Sequence, residues 1–160
     1  MADFNIAVQI TLVNEGGFVD NPADPGGATK YGITQADMPG VDIAGVTPQQ
    51  ATAYYQEHYW KPLYSQIESQ DVANKLFDMG VLFGVGEAVK LLQIVLQTAI
   101  PTVTVDDEFG PETLAALNQI DAASLLQAYK TSLVTYALRI AANKPSDRQF
   151  AAGWGRRINL

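Results

Sequence analysis

The chain has 160 residues, 48% of them hydrophobic and 17% charged, with a net charge of −7, one histidine and no cysteine. This composition indicates a globular domain with its own core, and it excludes a disulfide framework, a thiolate metal site and most histidine-based catalysis. The acidic balance argues against nucleic acid as a partner. No apolar run reaches the length of a membrane span, so we expect none.

The hydrophobic pattern predicts a mainly α-helical chain. Thr47-Pro48-Gln49-Gln50 opens a helix with an N-cap threonine and a proline at the first helical position, and Ser69 and Asp121 are further N-caps. We expect helices over about residues 3–15, 47–60, 69–83, 87–100, 111 onward, 121–143 and 150–154. Residues 16–34 are expected to form a loop with a short hairpin around Phe18–Val19 and Tyr31–Ile33, because their prolines and glycines exclude a helix.

The segment that follows the first predicted helix is the most informative part of the chain. Its chemistry-bearing residues are Glu15, Gly16, Gly17, Asp24, Gly26, Gly27, Thr29 and Tyr31. A carboxylate is unfavourable at the C-terminal end of a helix, which favours a functional reason for Glu15. Glycine pairs let the main chain approach a ligand closely. A carboxyl group beside such a loop is a plausible place for acid–base chemistry on a polar substrate.

This segment resembles the signature of the N-acetylmuramidases of glycoside hydrolase family 108, which occur among phage endolysins. The shared elements, in order, are Asn14-Glu15-Gly16-Gly17-Phe18, Asp24-Pro25-Gly26-Gly27 and Thr29-Lys30-Tyr31-Gly32-Ile33. The resemblance implies a lysozyme-like, two-lobed helical domain with a small loop or β-hairpin at the active site. It also implies that residues 1–85 form the catalytic segment and that the reaction needs no cofactor or metal.

The resemblance implies roles for individual residues. Glu15 would be the general acid, kept protonated near neutral pH by a partly apolar pocket. Asp24 would activate water or balance the positive transition state, although an aspartate before Pro-Gly-Gly is also ordinary turn chemistry. Thr29 would hold the water or a sugar hydroxyl. The residues expected to bind substrate are Gly16, Gly17, Gly27, Tyr31 and Trp60. For Tyr31 and Trp60, packing in the core is the alternative.

A second resemblance covers the C-terminal half. Leu92-Gln93 followed by Val105–Leu117 is similar to a peptidoglycan-binding repeat, with Asp107 in the place of the usual glycine. We therefore expect residues 86–160 to be a helical peptidoglycan-binding-like segment packed into the same globule. The closing residues Phe150, Gly153-Trp154 and Arg157 also resemble the usual ending of the lysozyme family.

Other polar and aromatic residues receive simpler interpretations. Tyr55 is expected in the core, whereas Glu57, His58, Asp78 and the 106–108 acidic run are expected to be solvated. Residues 130–160 hold six of the ten basic side chains. They form either a basic outer helix face or a surface that contacts anionic lipid or wall polymer.

The expected function is hydrolysis of the β-1,4 bond between N-acetylmuramic acid and N-acetylglucosamine by a monomer. Two alternatives remain open: a non-catalytic wall-binding module, and a secreted antibacterial effector that uses the same chemistry and has an immunity partner. Met1-Ala2-Asp3 is not the start of a signal peptide. We therefore expect the protein in the host cytoplasm until another machine, such as a holin, releases it to the periplasm.

Overall fold

The structure is a computed structural model that describes residues 1–15 and 28–160. Within these residues the chain forms α1 (Phe4–Glu15), α2 (Pro48–Tyr59), α3 (Gln70–Phe83), α4 (Val85–Ala99), α5 (Pro111–Gln119), α6 (Ala122–Asn143) and α7 (Ala151–Asn159). Short 3₁₀ turns occupy Ile43–Gly45, Pro62–Gln66 and Pro145–Phe150. The mainly α-helical fold predicted from the sequence is confirmed.

The predicted helix ends are also confirmed by their hydrogen bonds. Thr47 and Gln50 form a reciprocal capping box at α2, and Ser69 accepts a hydrogen bond from the backbone of Val72 at α3. Gly84 has a φ of 91°, which a residue with a side chain rarely adopts, and it separates α3 from α4. These local signals fix the helix boundaries because each satisfies backbone groups that a helix end leaves unpaired.

Helix α3 lies between two hydrophobic clusters. The smaller cluster joins α1, α2 and Phe77 of α3, while the larger joins Leu76 of α3 to α4 and α6. Because α3 packs against α1, α4 and α6, it is buried around much of its circumference. This arrangement makes α3 the central helix, against which α1, α4 and α6 all pack.

A two-residue hairpin lies beside the smaller cluster. Strand β1 (Thr29–Lys30) pairs antiparallel with β2 (Ile33–Thr34), with Thr29 opposite Thr34 and Lys30 opposite Ile33. Ile33 is fully buried, so the hairpin is fixed against the cluster. None of the helices in the described ranges is both long and apolar enough to cross a membrane.

Candidate active site

Glu15 lies at the C-terminal end of α1, and its side chain is 19% exposed. Its carboxylate Oε1 is 2.7 Å from Nη1 of Arg157, which comes from α7 at the other end of the chain. Glu15 is therefore neither free in bulk water nor sealed in the core. The cation compensates a negative charge that the C-terminal end of α1 itself disfavours.

Arg157 binds a second carboxylate on its other edge. Its Nη2 donates to Oδ1 of Asp78 at 2.8 Å and its Nε donates to Oδ2 at 3.0 Å. Asp78 is buried, and it also accepts a hydrogen bond of 2.9 Å from the hydroxyl of Thr11. The expectation that Asp78 is solvated is therefore wrong. The physical reason is that α3 is buried on the face that carries Asp78, where a guanidinium compensates the charge.

The charges around Arg157 determine its ionisation. Burial alone would lower the pKa of Arg157, but its hydrogen bonds to Asp78 and the negative charges of Asp78 and Glu15 outweigh burial and raise that pKa. Arg157 therefore remains a cation at any pH at which the protein is folded. A fixed guanidinium between two carboxylates orients both of them.

Two lysines form hydrogen bonds to backbone carbonyls at the C-terminal end of α7. Lys75 of α3 donates from Nζ to the backbone carbonyl of Arg157 at 2.9 Å, and Lys130 of α6 donates to the carbonyl of Asn159 at 3.0 Å. Burial lowers the pKa of Lys75 to about 8, although the charge of Asp78 acts in the opposite direction. Cationic donors at the C-terminal end of a helix satisfy its free carbonyl groups, so they hold Arg157 in place.

The hairpin covers Glu15 from another side. Tyr31 and Gly32, the two residues of its turn, have φ values of 53° and 73°. Two positive φ angles in succession are typical of the two-residue hairpin turns whose twist matches that of the strands they join. A Cβ atom on Gly32 would overlap Oε2 of Glu15 and would lie 2.8 Å from the hydroxyl of Tyr55. Glycine is therefore required here both by its backbone angle and by its close approach to the carboxylate.

Two tyrosines complete the surroundings of Glu15. The hydroxyl of Tyr55 donates to the carbonyl of Tyr31 at 2.7 Å and so fixes the turn. Burial raises the pKa of Tyr55, and the charge of Glu15 adds to that effect. Burial also raises the pKa of Tyr59, with further contributions from the charges of Asp37 and Glu15. Both phenols therefore stay neutral donors near physiological pH, and the core position predicted for Tyr55 is confirmed.

The structure brings some of the predicted site residues together. Glu15 and the turn of Tyr31 are adjacent through Gly32 and Tyr55, and Thr29 lies half-buried in β1 of the same hairpin. The remaining predicted residues, Asp24, Gly16, Gly17 and Gly27, lie outside the described residues.

Trp60 has a different environment. Its ring contacts the rings of Phe4, Tyr64 and Phe77 edge-on, at centroid distances of 5.4, 5.5 and 5.7 Å. It is partly buried against both hydrophobic clusters. Core packing, the alternative for this residue, is thus what the structure describes, and binding of substrate by Trp60 stays a prediction.

Sequence reasoning did not assign Arg157, Asp78 or Gly32 to the site. Arg157 was singled out only as part of the closing pattern, and no local signal places it beside Glu15. Gly32 is a glycine between two short strands, and a glycine at a hairpin turn is a readable signal. Within residues 1–15 and 28–160, no group of three acidic or histidine side chains could hold a metal ion. The site as described offers the Glu15 carboxylate for proton transfer, beside a guanidinium that stays charged and phenols that stay neutral.

Comparisons with known proteins match both halves of the chain. Residues 8–84 match the family model described as Glycosyl hydrolase 108, and residues 87–159 match the model described as Predicted Peptidoglycan domain. Among 11 matching chains of solved structures, SagA of Brucella abortus is 28% identical, with a TM-score of 0.77. That match covers 98% of this chain and 89% of the SagA chain. Among curated proteins, none matches.

Proposed function

We propose, because the chain belongs to the glycosyl hydrolase 108 family, that it cleaves the β-1,4 bond between N-acetylmuramic acid and N-acetylglucosamine with Glu15 as general acid. The family and the peptidoglycan domain identify a glycoside hydrolase of peptidoglycan. The bond cleaved and the role of Glu15 are our proposal. The observation that carries it is the placement of Glu15, which is held by Arg157 at 2.7 Å beneath a glycine turn.

The two oxygens of Glu15 have different surroundings. Oε1 is bound by Arg157, whereas Oε2 faces Gly32 and the hydroxyl of Tyr55. Because Arg157 fixes one oxygen, the orientation of the other is also fixed. We assign the proton-donor role to Oε2. Glu15 must first take up a proton there, and it then transfers that proton to the glycosidic oxygen that leaves, a step that requires an acid within hydrogen-bond reach of that oxygen.

A second group is needed to supply water or to stabilise the positive sugar ring. We propose Asp24 for this role, on the resemblance of its spacing from Glu15 to that of phage lysozymes. Thr29, on the hairpin that also carries the Gly32 turn, would hold the water or a sugar hydroxyl. The glycines at positions 16, 17 and 27 and the residue Tyr31 would contact the glycan chain.

The proposed biological setting follows from the substrate. Peptidoglycan lies outside the cytoplasmic membrane, so the enzyme would act in the periplasm after release by another machine. An endolysin and a secreted antibacterial effector would both use this chemistry. Finding a holin gene beside this gene would support the first setting, and finding an immunity gene there would support the second.

The test compares the wild type with Glu15→Gln on purified sacculi, with Glu57→Gln as the matched control. Glu57 is an exposed glutamate on α2, so its substitution makes the same chemical change away from the site. We expect release of reducing ends to be lost in Glu15→Gln and retained in Glu57→Gln. Equal release by Glu15→Gln would contradict the assignment of the acid.

The same digests identify the bond and the reaction type. Mass spectrometry of the released muropeptides should show a reducing N-acetylmuramic acid end. Products that end in reducing N-acetylglucosamine would make the enzyme a glucosaminidase, and 1,6-anhydro products would make it a lytic transglycosylase. Either result would overturn the muramidase proposal and leave the membership of the hydrolase family intact.

A further inference from the structure

A groove of about 320 Å³ runs along α7 beside Glu15. We call it the α7 groove, and it is lined by Asn14, Leu82, Gly153, Trp154, Arg156, Arg157 and Leu160. Asn14 directly precedes Glu15, and Arg157 is bound to the Glu15 carboxylate. A glycan chain that binds at Glu15 therefore has an adjacent channel into which its next unit can extend.

The charged side chains that line the α7 groove are cations, although the net charge of the chain is −7 and Arg157 is neutralised by its two carboxylate partners. Arg156 and Arg157 are the charged side chains among its lining residues, and no described carboxylate side chain lines it. Arg157 is occupied by Glu15 and Asp78, whereas Arg156 is exposed and forms no ion pair with any described carboxylate. Arg156 is thus positioned to bind a carboxylate that the substrate supplies.

An aromatic ring accompanies this cation. Trp154 is partly buried and is held edge-on by Phe83, with ring centroids 5.8 Å apart and an interplanar angle of 72°. Phe150, which is 51% exposed, has its ring centroid 6.1 Å from that of Trp154, with an interplanar angle of 30°. Because its neighbours fix the indole, Trp154 presents a rigid apolar surface to the groove, which suits the apolar face of a sugar ring.

We propose that the α7 groove is a substrate subsite that recognises a muramyl unit carrying its peptide stem, with Trp154 against the sugar ring and Arg156 on a carboxylate of the stem. This inference rests on the proposed function. In peptidoglycan the lactyl group of the muramyl unit is amide-linked to the stem, so the available carboxylates are those of the peptide. Helix α7 then contributes both Arg157, which holds the proposed acid, and Trp154 and Arg156, which bind the substrate.

The experiment uses soluble uncross-linked peptidoglycan strands in two forms, native and with the stem carboxylates converted to neutral amides. We expect Arg156→Ala to raise KM on native strands about five- to tenfold, the range for one solvent-accessible charge-assisted contact, with kcat within about twofold. Amidated strands should raise the wild-type KM by a similar factor. Amidation should not raise the KM of Arg156→Ala further, because both changes remove the same contact.

Arg139→Ala is the matched control, since Arg139 is an exposed arginine on α6 outside the α7 groove. It should retain the wild-type response to amidation. Trp154→Phe should retain most binding and Trp154→Ala should raise KM on both strand types, with thermal melting used to exclude unfolding.

Two results would overturn the subsite. One is a wild-type KM that does not change on amidation, a measurement that no variant's folding can affect. The other is an Arg156→Ala enzyme that behaves as Arg139→Ala does on both strand types. In either case the proposed hydrolase activity would stand, because it is measured by the reducing ends that the wild type releases.

Discussion

Within residues 1–15 and 28–160, two turns place a residue with a side chain at positive φ, and they are held in different ways. Tyr31, with φ 53°, lies in the hairpin over Glu15, whose carboxylate is paired with Arg157. Asp107, with φ 67°, lies between α4 and α5, where the buried amide of Gln93 holds the loop. The first turn lies against an ion-paired carboxylate, and the second is organised mainly by a side chain that carries no charge of its own.

The second turn shows how a buried amide can organise a loop. Gln93 is 1% exposed, and its carbonyl accepts from the backbone of Asp106 at 3.1 Å and of Asp107 at 3.0 Å. Its amino group donates to Asp106, Glu108 and Thr113. Asp107 tolerates the left-handed conformation that the related repeats give to glycine. Gln93 carries no charge of its own, although it binds the carboxylate of Asp106 and that hydrogen bond lowers the pKa of Asp106. The surroundings of Glu15 are instead held by the ion pairs of Arg157.

The largest expected effect comes from Gly32→Ala, with Gly40→Ala as its control. Both glycines have positive φ, but an added Cβ overlaps Glu15 at position 32 and meets nothing within 4 Å at position 40. Displacing Glu15 should reduce kcat about 100-fold or more, because small misplacements of a reacting group are costly. Gly40→Ala should lose about 1 kcal/mol of stability and keep its activity. Equal activity of the two variants would contradict the role of Gly32.

The next effect concerns the neutral loop. Gln93→Ala should lower the free energy of unfolding by about 3 kcal/mol, because it leaves several buried polar groups unpaired. Gln97→Ala on the same helix removes one part-buried hydrogen bond, to the carbonyl of Val103, and should cost about 1 kcal/mol. Denaturant titration measures both values. At a temperature where both variants are folded, kcat should stay near wild type. A large loss of kcat in Gln93→Ala would contradict our inference that only the Tyr31 turn affects the reaction.

The smallest expected effect is a dependence of the free energy of unfolding on pH, which arises from Lys75. Lys75 has its pKa lowered from 10.5 to about 8, and it faces Asp78, Lys130 and Arg157. Between pH 8 and 10 the unfolded chain binds more protons at this lysine than the folded chain, so stability should rise with pH, by about 2 kcal/mol. Above pH 10 the trend should reverse, because burial raises the pKa of Tyr55.

Denaturant titrations at several pH values would test this dependence in the wild type and in Lys75→Met. The variant should lose the rise in stability between pH 8 and 10. Loss of the hydrogen bond to the Arg157 carbonyl should lower its stability by the same amount at every pH. The same slope in both proteins would show that Lys75 keeps its proton in the folded state.

Local signals predicted the fold well. The capping box of Thr47 and Gln50, the Ser69 cap and the Gly84 break each act within one turn of a helix, so they can be read without knowing the partner of that helix. The position of Glu15 at the end of α1 was predictable for the same reason. Gly32 suits its turn position for the same reason, but Tyr31 takes a positive φ that a bulky residue rarely adopts, so the turn also depends on its packing.

The electrostatics of the site were not predictable in this way. Asp78 and Arg157 are 79 positions apart, and only the packing of α7 against the central helices brings them together. An aspartate in a helix is usually solvated, which is why its burial here was missed. Helical periodicity identifies the apolar face of α3, but it does not reveal that a distant guanidinium compensates a carboxylate on a buried face.

The central claim is that α7 holds the catalytic carboxylate, so that the residues matched by the two family models form one active unit. Arg157→Lys tests it most directly, because lysine keeps the charge but cannot bridge Glu15 and Asp78 as the planar guanidinium does. On soluble strands we predict a kcat at least about tenfold below wild type, with KM changed less than about twofold and the protein folded. An unchanged kcat in folded Arg157→Lys would contradict the account.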